Sequence, residues 1–277
     1  LTINHASAVV NIRSAATTIS GNLTITAGTL DTQNSGSNLD LTVAGTTTVG
    51  PNSGAADQAT LTCNASAISL GSGITSSAYG LYVNQGGTFT GGSGTHTLGS
   101  VVVRNNAAAK CTLSSGVTTI DGEHGGENYA INIEGSDSVF AHGSGTVTIT
   151  RASDTRIRNA GAALALNNLI INHASADITL ASNGLTCAGD FTITAGEFGT
   201  GADKALTVTG DCDVLGTLTL NDSAVSVAAL RTQSGAAMTQ GSSGTLALTS
   251  GSNFSGTEGS AYSWRNEDGT SDINLGG

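Results

Sequence analysis

The side chains best suited to chemistry lie together in residues 121–127. This segment carries three carboxylates and one imidazole separated by glycines, namely Asp121, Glu123, His124 and Glu127. Hard cations take carboxylate oxygens from loops of this kind, so the four residues are a candidate Ca²⁺ site. Their spacing matches no standard calcium-binding loop, and a solvated turn protruding from the fold is the alternative. No other cofactor is expected.

Two further groups of side chains suit binding. Three arginines, Arg151, Arg156 and Arg158, form the main cationic cluster of a chain that has only nine Lys and Arg. They could contact an acidic glycan or a partner subunit, and a solvated face with paired charges is the alternative. Tyr79 and Tyr82 are candidates for glycan binding because aromatic rings stack on apolar surfaces and carry a polar group. Filling gaps in the fold is the alternative for these rings.

One pair of carboxylates has the spacing for hydrolysis. Asp211 and Asp213 lie two residues apart and would project from the same strand face. Glycosidases use two carboxylates about 5 to 9 Å apart, so this pair is the candidate for a polysaccharide-degrading activity. The sequence has no nucleophile elbow, phosphate loop, dinucleotide fingerprint or zinc-ligand spacing. We therefore expect a protein that is not an enzyme.

The remaining reactive side chains predict structural roles. His5 and His173 both stand in the sequence Ile-Asn-His-Ala-Ser, and such repetition predicts hydrogen bonding at a corner of the fold. His96 and His142 lie beside Gly-Ser-Gly turns and are expected at the surface.

The four cysteines are not arranged as a metal or redox motif. No two of Cys63, Cys111, Cys187 and Cys212 lie within three residues of each other. Their Thr-, Val- and Leu-rich surroundings predict small, buried, apolar side chains. One long-range disulfide stays open as an alternative, without a preferred pairing.

Composition excludes several functional classes. The 277 residues have a formal net charge of −11, and 10% are charged, 4% aromatic, 39 glycine and one proline. Nine Lys and Arg cannot form a wide surface that follows phosphates, so no nucleic-acid partner is expected. No apolar run of about 18 residues is present, and we expect no membrane insertion. The scarcity of good helix formers disfavours a helical bundle.

An internal repeat is the strongest structural signal. Residues 1–8 return as 169–176, and residues 21–28 return at the same offset of 168 as 189–196. Later matches have smaller offsets, of 165 for residues 41–43 and 157 for residues 60–62. Length changes that fall in turns while strands are kept would produce this pattern.

Within the repeat, apolar residues stand two apart, as in Leu23/Ile25 and Leu41/Val43, with Thr, Ser, Asn or Asp between them. This alternation predicts short strands with one buried face. We predict an all-β parallel β-helix, or β-solenoid, whose coils stack into a thin core. The spacing of 18 and 19 residues between Thr24, Thr42 and Leu61 predicts the coil length. Tandem β-sandwich modules are the alternative.

The repeat also predicts the domain organisation. We expect one continuous β-solenoid over residues 1–277, with pseudo-repeats at 1–100 and 169–250 and a divergent middle section at 101–168. Residues 251–277 are expected to begin a further region.

The sequences of the repeats resemble those of known proteins. The segments GNLTITAGTLDT (21–32), GGTFTGGSGTHTL (86–98) and LNNLIINHASADITLASNGLTCAGDFTITAG (166–196) resemble Thr/Gly-rich repeats of tailed-phage fibres, tailspikes and head-decoration proteins. They also resemble haemagglutinin-like β-helices of bacterial adhesins. The resemblance covers roughly residues 1–100 and 138–250, and no family site residue carries over to this chain.

This resemblance implies a non-enzymatic structural protein of the virion surface, a phage fibre or decoration protein that acts as a rigid spacer or as an adhesin for a host-surface glycan. It also implies a homo-oligomer, with a trimer favoured, and contact with other virion proteins. The alternatives are a bacterial or archaeal cell-surface adhesin or extracellular filament subunit, and a polysaccharide-degrading tailspike.

Overall fold

A computed structural model describes residues 1–53, 58–75 and 78–249, together with the backbone of two strands at 264–266 and 272–274. The expected further region at 251–277 otherwise lies outside the described residues. The chain divides into two compact units. Unit 1 comprises Leu1–Val147 and Arg158–Ala162, and unit 2 comprises Thr148–Ile157 and the chain from Ala163 onward. One continuous solenoid over 1–277 stays a prediction.

All regular structure in the described ranges is β-strand. The strands up to residue 141 belong to unit 1: β1 (Thr2–Asn11), β2 (Thr17–Ile19), β3 (Leu23–Asp31), β4 (Gln33–Asn34), β5 (Ser37–Asn38), β6 (Leu41–Val43), β7 (Thr47–Val49), β8 (Ala59–Thr62), β9 (Ile68–Leu70), β10 (Leu81–Val83), β11 (Gly87–Thr90), β12 (His96–Leu98), β13 (Val101–Val103), β14 (Lys110–Thr112), β15 (Val117–Ile120), β16 (Tyr129–Ile133) and β17 (Val139–Ala141).

The remaining strands follow in chain order. They are β18 (Thr146–Ile149), β19 (Asp154–Asn159), β20 (Leu164–Leu166), β21 (Asn168–Ser182), β22 (Leu185–Cys187), β23 (Phe191–Gly199), β24 (Leu206–Val214), β25 (Thr217–Thr219), β26 (Ala224–Thr232), β27 (Ala237–Thr239), β28 (Thr245–Leu248), β29 (Trp264–Asn266) and β30 (Asp272–Asn274). Strands β20 to β30 lie in unit 2.

The predicted parallel β-solenoid is confirmed, with about 11 turns. In unit 1, strands of successive coils pair in parallel in three columns: β2-β6-β9-β12-β15, β1-β3-β7-β10-β13-β16 and β1-β3-β8-β11-β14-β17. In unit 2 the columns are β20-β22-β24-β26-β28, β21-β23-β24-β26-β29 and β21-β23-β25-β27-β30. Long strands such as β3 contribute to two columns because they bend at a coil corner.

The alternative of tandem β-sandwich modules is wrong. Sandwich modules consist of antiparallel sheets, whereas every described column pairs parallel strands of successive coils. Strand β4 pairs antiparallel with β5 in a local hairpin that belongs to none of these columns.

Each column places a stack of apolar side chains in the core. Val43, Leu70, Leu98 and Ile120 follow one another in register on four successive coils, and none has exposed surface. Complete burial of such a side chain stabilises the folded state by about 1.5 to 3 kcal/mol. A single coil cannot bury this face alone, so the stability of each coil depends on its neighbours.

The coil length predicted from Thr24, Thr42 and Leu61 is wrong. Thr24 pairs with Thr48, whereas Thr42 pairs with Ser69, so the three residues lie in different columns. The coil length is therefore 24 residues from Thr24 and 27 residues from Thr42. The sequence spacing misleads because each coil holds three strands with similar alternation.

The sequence repeat is also a structural repeat. Strand β1 pairs with β3 with a register shift after Ile3, and β21 pairs with β23 with the same shift after Ile171. At the bend that follows, Gly28 and Gly196 have φ angles of 92° and 90°. An added Cβ would lie 2.6 Å and 2.5 Å from carbonyl oxygens of the preceding coil, so each position requires glycine.

The two histidines of the repeat have the expected structural role. The backbone N–H of Ser7 donates to Nδ1 of His5 over 3.3 Å, and that of Ser175 donates to Nδ1 of His173 over 3.1 Å. Each contact links residues two apart, within β1 and within β21. The predicted hydrogen bonding by these histidines is therefore confirmed.

Polar side chains inside the core also repeat between the units. In unit 1, Ser66 Oγ donates to Thr32 Oγ1 over 2.8 Å, and Thr32 donates to a carbonyl oxygen of the next coil. In unit 2, Ser223 Oγ donates to Thr200 Oγ1 over 2.7 Å, and Thr200 likewise donates to a carbonyl oxygen. The hydroxyls satisfy one another, which removes much of the cost of their burial.

The prediction that all four cysteines are buried is confirmed. Cys63, Cys111, Cys187 and Cys212 have no exposed surface and are free thiols. Burial raises the pKa of each thiol, since the thiolate would lose its hydration. The open alternative of a long-range disulfide is therefore not realised.

The expected surface position of His96 is wrong, whereas His142 is half-exposed. His96 begins β12 and pairs in register with Ile68 and Thr118, so its side chain points into the core and has no exposed surface. Its ring lies 6.1 Å from that of Phe89 in an edge-to-face arrangement. Burial lowers the pKa of His96 to about 4, because the imidazolium would lose its hydration.

A pair of substitutions tests the alternation of inner and outer residues. Ile25 is fully buried between Ile3 and Val49 of the adjacent coils, whereas Thr24 is half-exposed. We expect Ile25→Asp to lower the free energy of unfolding by about 3 kcal/mol or more, because it buries an unpaired charge. Thr24→Asp should change it by less than about 0.5 kcal/mol. Urea unfolding followed by circular dichroism measures both values, and equal losses would contradict the assigned strand faces.

His96 should make the protein sensitive to acid. Below pH 6.5 the unfolded chain binds a proton that the folded chain binds only near pH 4, so stability falls as the pH drops through this window. The lowered pKa of His96 corresponds to a loss of about 3 kcal/mol in the free energy of unfolding, at about 1.4 kcal/mol per pKa unit. We expect His96→Ile, which copies Ile68 of the preceding coil, to remove this part of the pH dependence in urea unfolding at pH 7 and pH 4. The control His142→Gln should leave it in place, and an unchanged pH profile in His96→Ile would argue against the assignment.

Candidate functional site

Two long loops leave the solenoid at the same corner of unit 1. Residues 71–80, of which 71–75 and 78–80 are described, connect β9 to β10, and residues 121–128 connect β15 to β16. The intervening coil turns the same corner with Gly99 and Ser100 alone. The two loops therefore come from coils on either side of a short turn, and they meet across it. An added Cβ on Gly122 would lie 2.2 Å from the carbonyl oxygen of Ile74, which shows how closely the loops approach.

Hydrogen bonds join the two loops. The carboxylate of Asp121 accepts from Ser72 Oγ and, over 2.8 Å, from the backbone N–H of Gly73. The backbone N–H of Glu123 donates to the carbonyl oxygen of Ile74 over 3.0 Å. Bonds to an ionised acceptor are stronger than neutral ones, so Asp121 is the main polar link between the loops.

An aromatic stack covers the junction. The ring of Tyr79 lies between that of His124, at a centroid distance of 3.8 Å, and that of Tyr82, at 4.5 Å. Nδ1 of His124 lies 3.1 Å from the carbonyl oxygen of Ala78. Arg104 donates from Nη1 to the Tyr82 hydroxyl over 3.2 Å. Burial raises the pKa of Tyr79, and the neighbouring Tyr82 and Glu134 add to this rise.

Tyr129 extends this corner along β16. It pairs with His124 through two backbone hydrogen bonds of 2.8 Å, which close the end of the 121–128 loop. Its hydroxyl donates to the carboxylate of Glu127. The guanidinium of Arg158 lies 5.8 Å from the centre of its ring, within the range of a cation–π interaction.

The structure gives the proposed Ca²⁺ ligands other partners. Asp121 holds the neighbouring loop, His124 stacks on Tyr79, and Glu127 accepts from Tyr129. Glu123 is almost completely buried. Within the described residues, His, Cys, Asp and Glu side chains form no group of three or more that could hold a metal ion. The structure thus does not bring these four side chains together as a ligand set.

The arginine cluster is divided between the two units. Arg158 belongs to unit 1, where it lies over Tyr129, while Arg151 and Arg156 belong to unit 2. All three side chains are half-exposed. Their role in binding a glycan or a partner stays a prediction.

Asp211 and Asp213 lie on the outer face of β24, as their spacing predicts, since Cys212 between them is buried. Asp213 forms a two-point ion pair with Arg231 of the next coil, with Nε 2.7 Å from Oδ1. The backbone N–H of Asp211 donates to Asp190 of the preceding coil over 2.9 Å. Burial raises the pKa of Asp211, and the carboxylates of Asp190 and Asp213 add to this rise.

The sequence predicts Tyr79 and Tyr82 as binding candidates, but it does not predict that Tyr79 stacks on both Tyr82 and His124. His124 was assigned to a metal site, and Arg104 and Glu134 were assigned no role. Their proximity follows from the coil register, which brings together Tyr82 and Arg104, 22 positions apart, and Tyr79 and His124, 45 positions apart. The long segments between alternating strands were the only sequence signal for the two loops.

Comparisons with protein-family models, with curated proteins and with solved structures found no match for this chain. Within the described ranges, no helix is present with the length and apolar character needed to cross a membrane.

The link between the loops can be tested at Asp121. Asp121→Ala removes both acceptor contacts to the 71–80 loop, and we expect hydrogen exchange at the Gly73 amide to become about tenfold faster, equivalent to about 1.4 kcal/mol. Exchange measured by NMR reports this amide directly. Asp137→Ala, which removes an exposed carboxylate at another corner of unit 1, is the control and should leave Gly73 unchanged. Equal exchange in Asp121→Ala and the parent protein would contradict the proposed link.

Proposed function

We propose that this chain is a non-enzymatic structural protein of a virion surface, a β-solenoid portion of a phage fibre or decoration protein that acts as a stiff spacer. The observation that carries the proposal is the pairing of successive coils along three columns within each unit. Because every coil is hydrogen-bonded to its neighbours on three sides, bending or local opening breaks several columns at once. A β-solenoid is compatible with such a structural role.

The surface chemistry supports the same proposal. Outer strand positions are mostly short polar residues, such as Thr42, Ser69 and Thr97, and few of them offer reactive groups. Nine Lys and Arg in 277 residues leave few sites for trypsin-like proteases. The scarcity of reactive groups and the scarcity of protease sites both favour the survival of a protein outside a cell. We extend the proposal to a homotrimer that contacts other virion proteins, in keeping with the resemblance of the repeats.

Immunogold electron microscopy of the native source tests the assignment. An antibody against this chain should label virions, and the position of the gold on head, tail or fibre separates decoration from a fibre role. Light scattering of the purified chain should give three times the monomer mass. Label confined to cell walls or free filaments would overturn the virion assignment in favour of a cellular adhesin, and a monomeric mass would overturn the trimer.

A further inference from the structure

We propose that the corner of unit 1 formed by Tyr79, Tyr82, Arg104, His124, Asn132 and Glu134, here called the tyrosine patch, binds a neutral glycan through its pyranose rings. The inference names a partner for the proposed surface protein and rests on that proposal for its biological setting.

The tyrosines of the patch do not serve the core. In β10 the neighbours of Tyr82, Leu81 and Val83, occupy the core positions and have no exposed surface, so the ring of Tyr82 lies on the outer face. Tyr79 and Tyr82 are both half-exposed. By contrast, the largest core side chains, Phe89, Phe191 and Phe198, are fully buried. Gap filling, the alternative raised by the sequence, therefore does not explain Tyr82, whereas Tyr79 packs between two rings.

The patch continues across neighbouring coils in register. Tyr82 pairs with Val102 of the next coil, and Val102 pairs with Asn132 of the coil after that. Arg104 and Glu134 directly follow the same strands, and each donates its backbone N–H to the coil before it. Within these three coils the outer face presents the ring of Tyr82 and the charged groups of Arg104 and Glu134. Val102 has no exposed surface, and Asn132 is almost completely buried.

One polar group of the patch has an unfilled hydrogen-bonding capacity. Asn132 is 6% exposed, and its Oδ1 has no hydrogen-bond partner among the described residues. A buried acceptor without a partner costs about 1 to 3 kcal/mol. Because this oxygen is buried, a ligand hydroxyl reaches it only when the side chains around it move, and the new hydrogen bond would then recover part of this cost.

These groups match the chemistry of a sugar. A pyranose ring has an apolar C–H face, which suits the exposed ring of Tyr82, and hydroxyls that both donate and accept. Tyr79 has a ring stacked on each of its faces and supports Tyr82 from behind. Arg104 supplies donors, and Glu134 and Asn132 supply acceptors. Two inserted loops converge here, and loops held by a rigid scaffold are common places for binding residues.

Charge selects a neutral glycan. Arg104 and Glu134 directly follow the paired residues Val103 and Ile133 of adjacent coils, so a carboxylate neighbours the charge of Arg104 and weakens its attraction for an anion. The whole chain has a formal net charge of −11, which disfavours approach of an acidic polysaccharide.

The proposal is tested by titrating the purified chain with maltohexaose, cellohexaose, mannohexaose and chitohexaose, and with an alginate hexasaccharide as the acidic probe. Saturation-transfer NMR and calorimetry report binding. We expect saturable binding of at least one neutral hexasaccharide, and binding of the alginate oligomer at least tenfold weaker. Tyr82→Ala should weaken the neutral interaction at least tenfold.

Two further variants separate binding from folding. Tyr82→Phe keeps the ring and should retain binding within about threefold, while Thr97→Ala, on the outer face of β12, is the matched control and should bind like the parent. Asn132→Val should weaken binding although it removes a buried amide oxygen without a partner and does not lower the melting temperature. Absence of saturable binding to all neutral probes, stronger binding of alginate, or equal affinity of Tyr82→Ala and the parent would each overturn the proposal.

The outcomes also separate this inference from the proposed function. Gold label on virions without oligosaccharide binding would overturn the tyrosine patch alone. Oligosaccharide binding with label confined to cell walls would overturn the virion assignment alone.

Discussion

The backbone pairing between successive coils is the interaction on which each unit depends. A coil has strands of three to five residues at most columns, which are too short to bury a face or satisfy their own N–H and C=O groups. Parallel pairing with the next coil supplies those hydrogen bonds and places side chains of equal register on top of one another. The apolar stack of Val43, Leu70 and Leu98 is a consequence of this register, and so is the shared Thr–Ser network of the core.

The same constraint determines where the chain tolerates variation. Strand positions must keep their register, because a slip by one residue exchanges the inner and outer faces. Corners are free to lengthen as long as the strands on either side still pair. The 71–80 and 121–128 loops use this freedom, and the two-residue turn between them lets them meet. The corner therefore gathers side chains that the strands have no room for, including Tyr79 and His124.

Charged groups are few, and the described ones mostly serve the stacking of coils. Asp121 links two loops, Asp190 accepts from the backbone of the next coil, and Arg231 reaches back to Asp213. Each contact joins neighbouring or nearly neighbouring coils. The tyrosine patch differs from these contacts, since its aromatic rings remain half-exposed and Asn132 keeps an acceptor without a partner.

The sequence by itself determined the strand alternation, the repeat at an offset of 168, the burial of the cysteines and the parallel solenoid, because these follow from local apolar spacing and from repetition. It also singled out Tyr79 and Tyr82. Only the tertiary structure decided which strands share a column, since three strands per coil have the same alternation and the corners differ in length. This stacking register places His96 in the core, although its sequence position predicts the surface. It also places Tyr79, Tyr82 and His124 in one aromatic stack. The physical reason is that stacking register depends on the summed length of strands and corners around a whole coil, which no local pattern records.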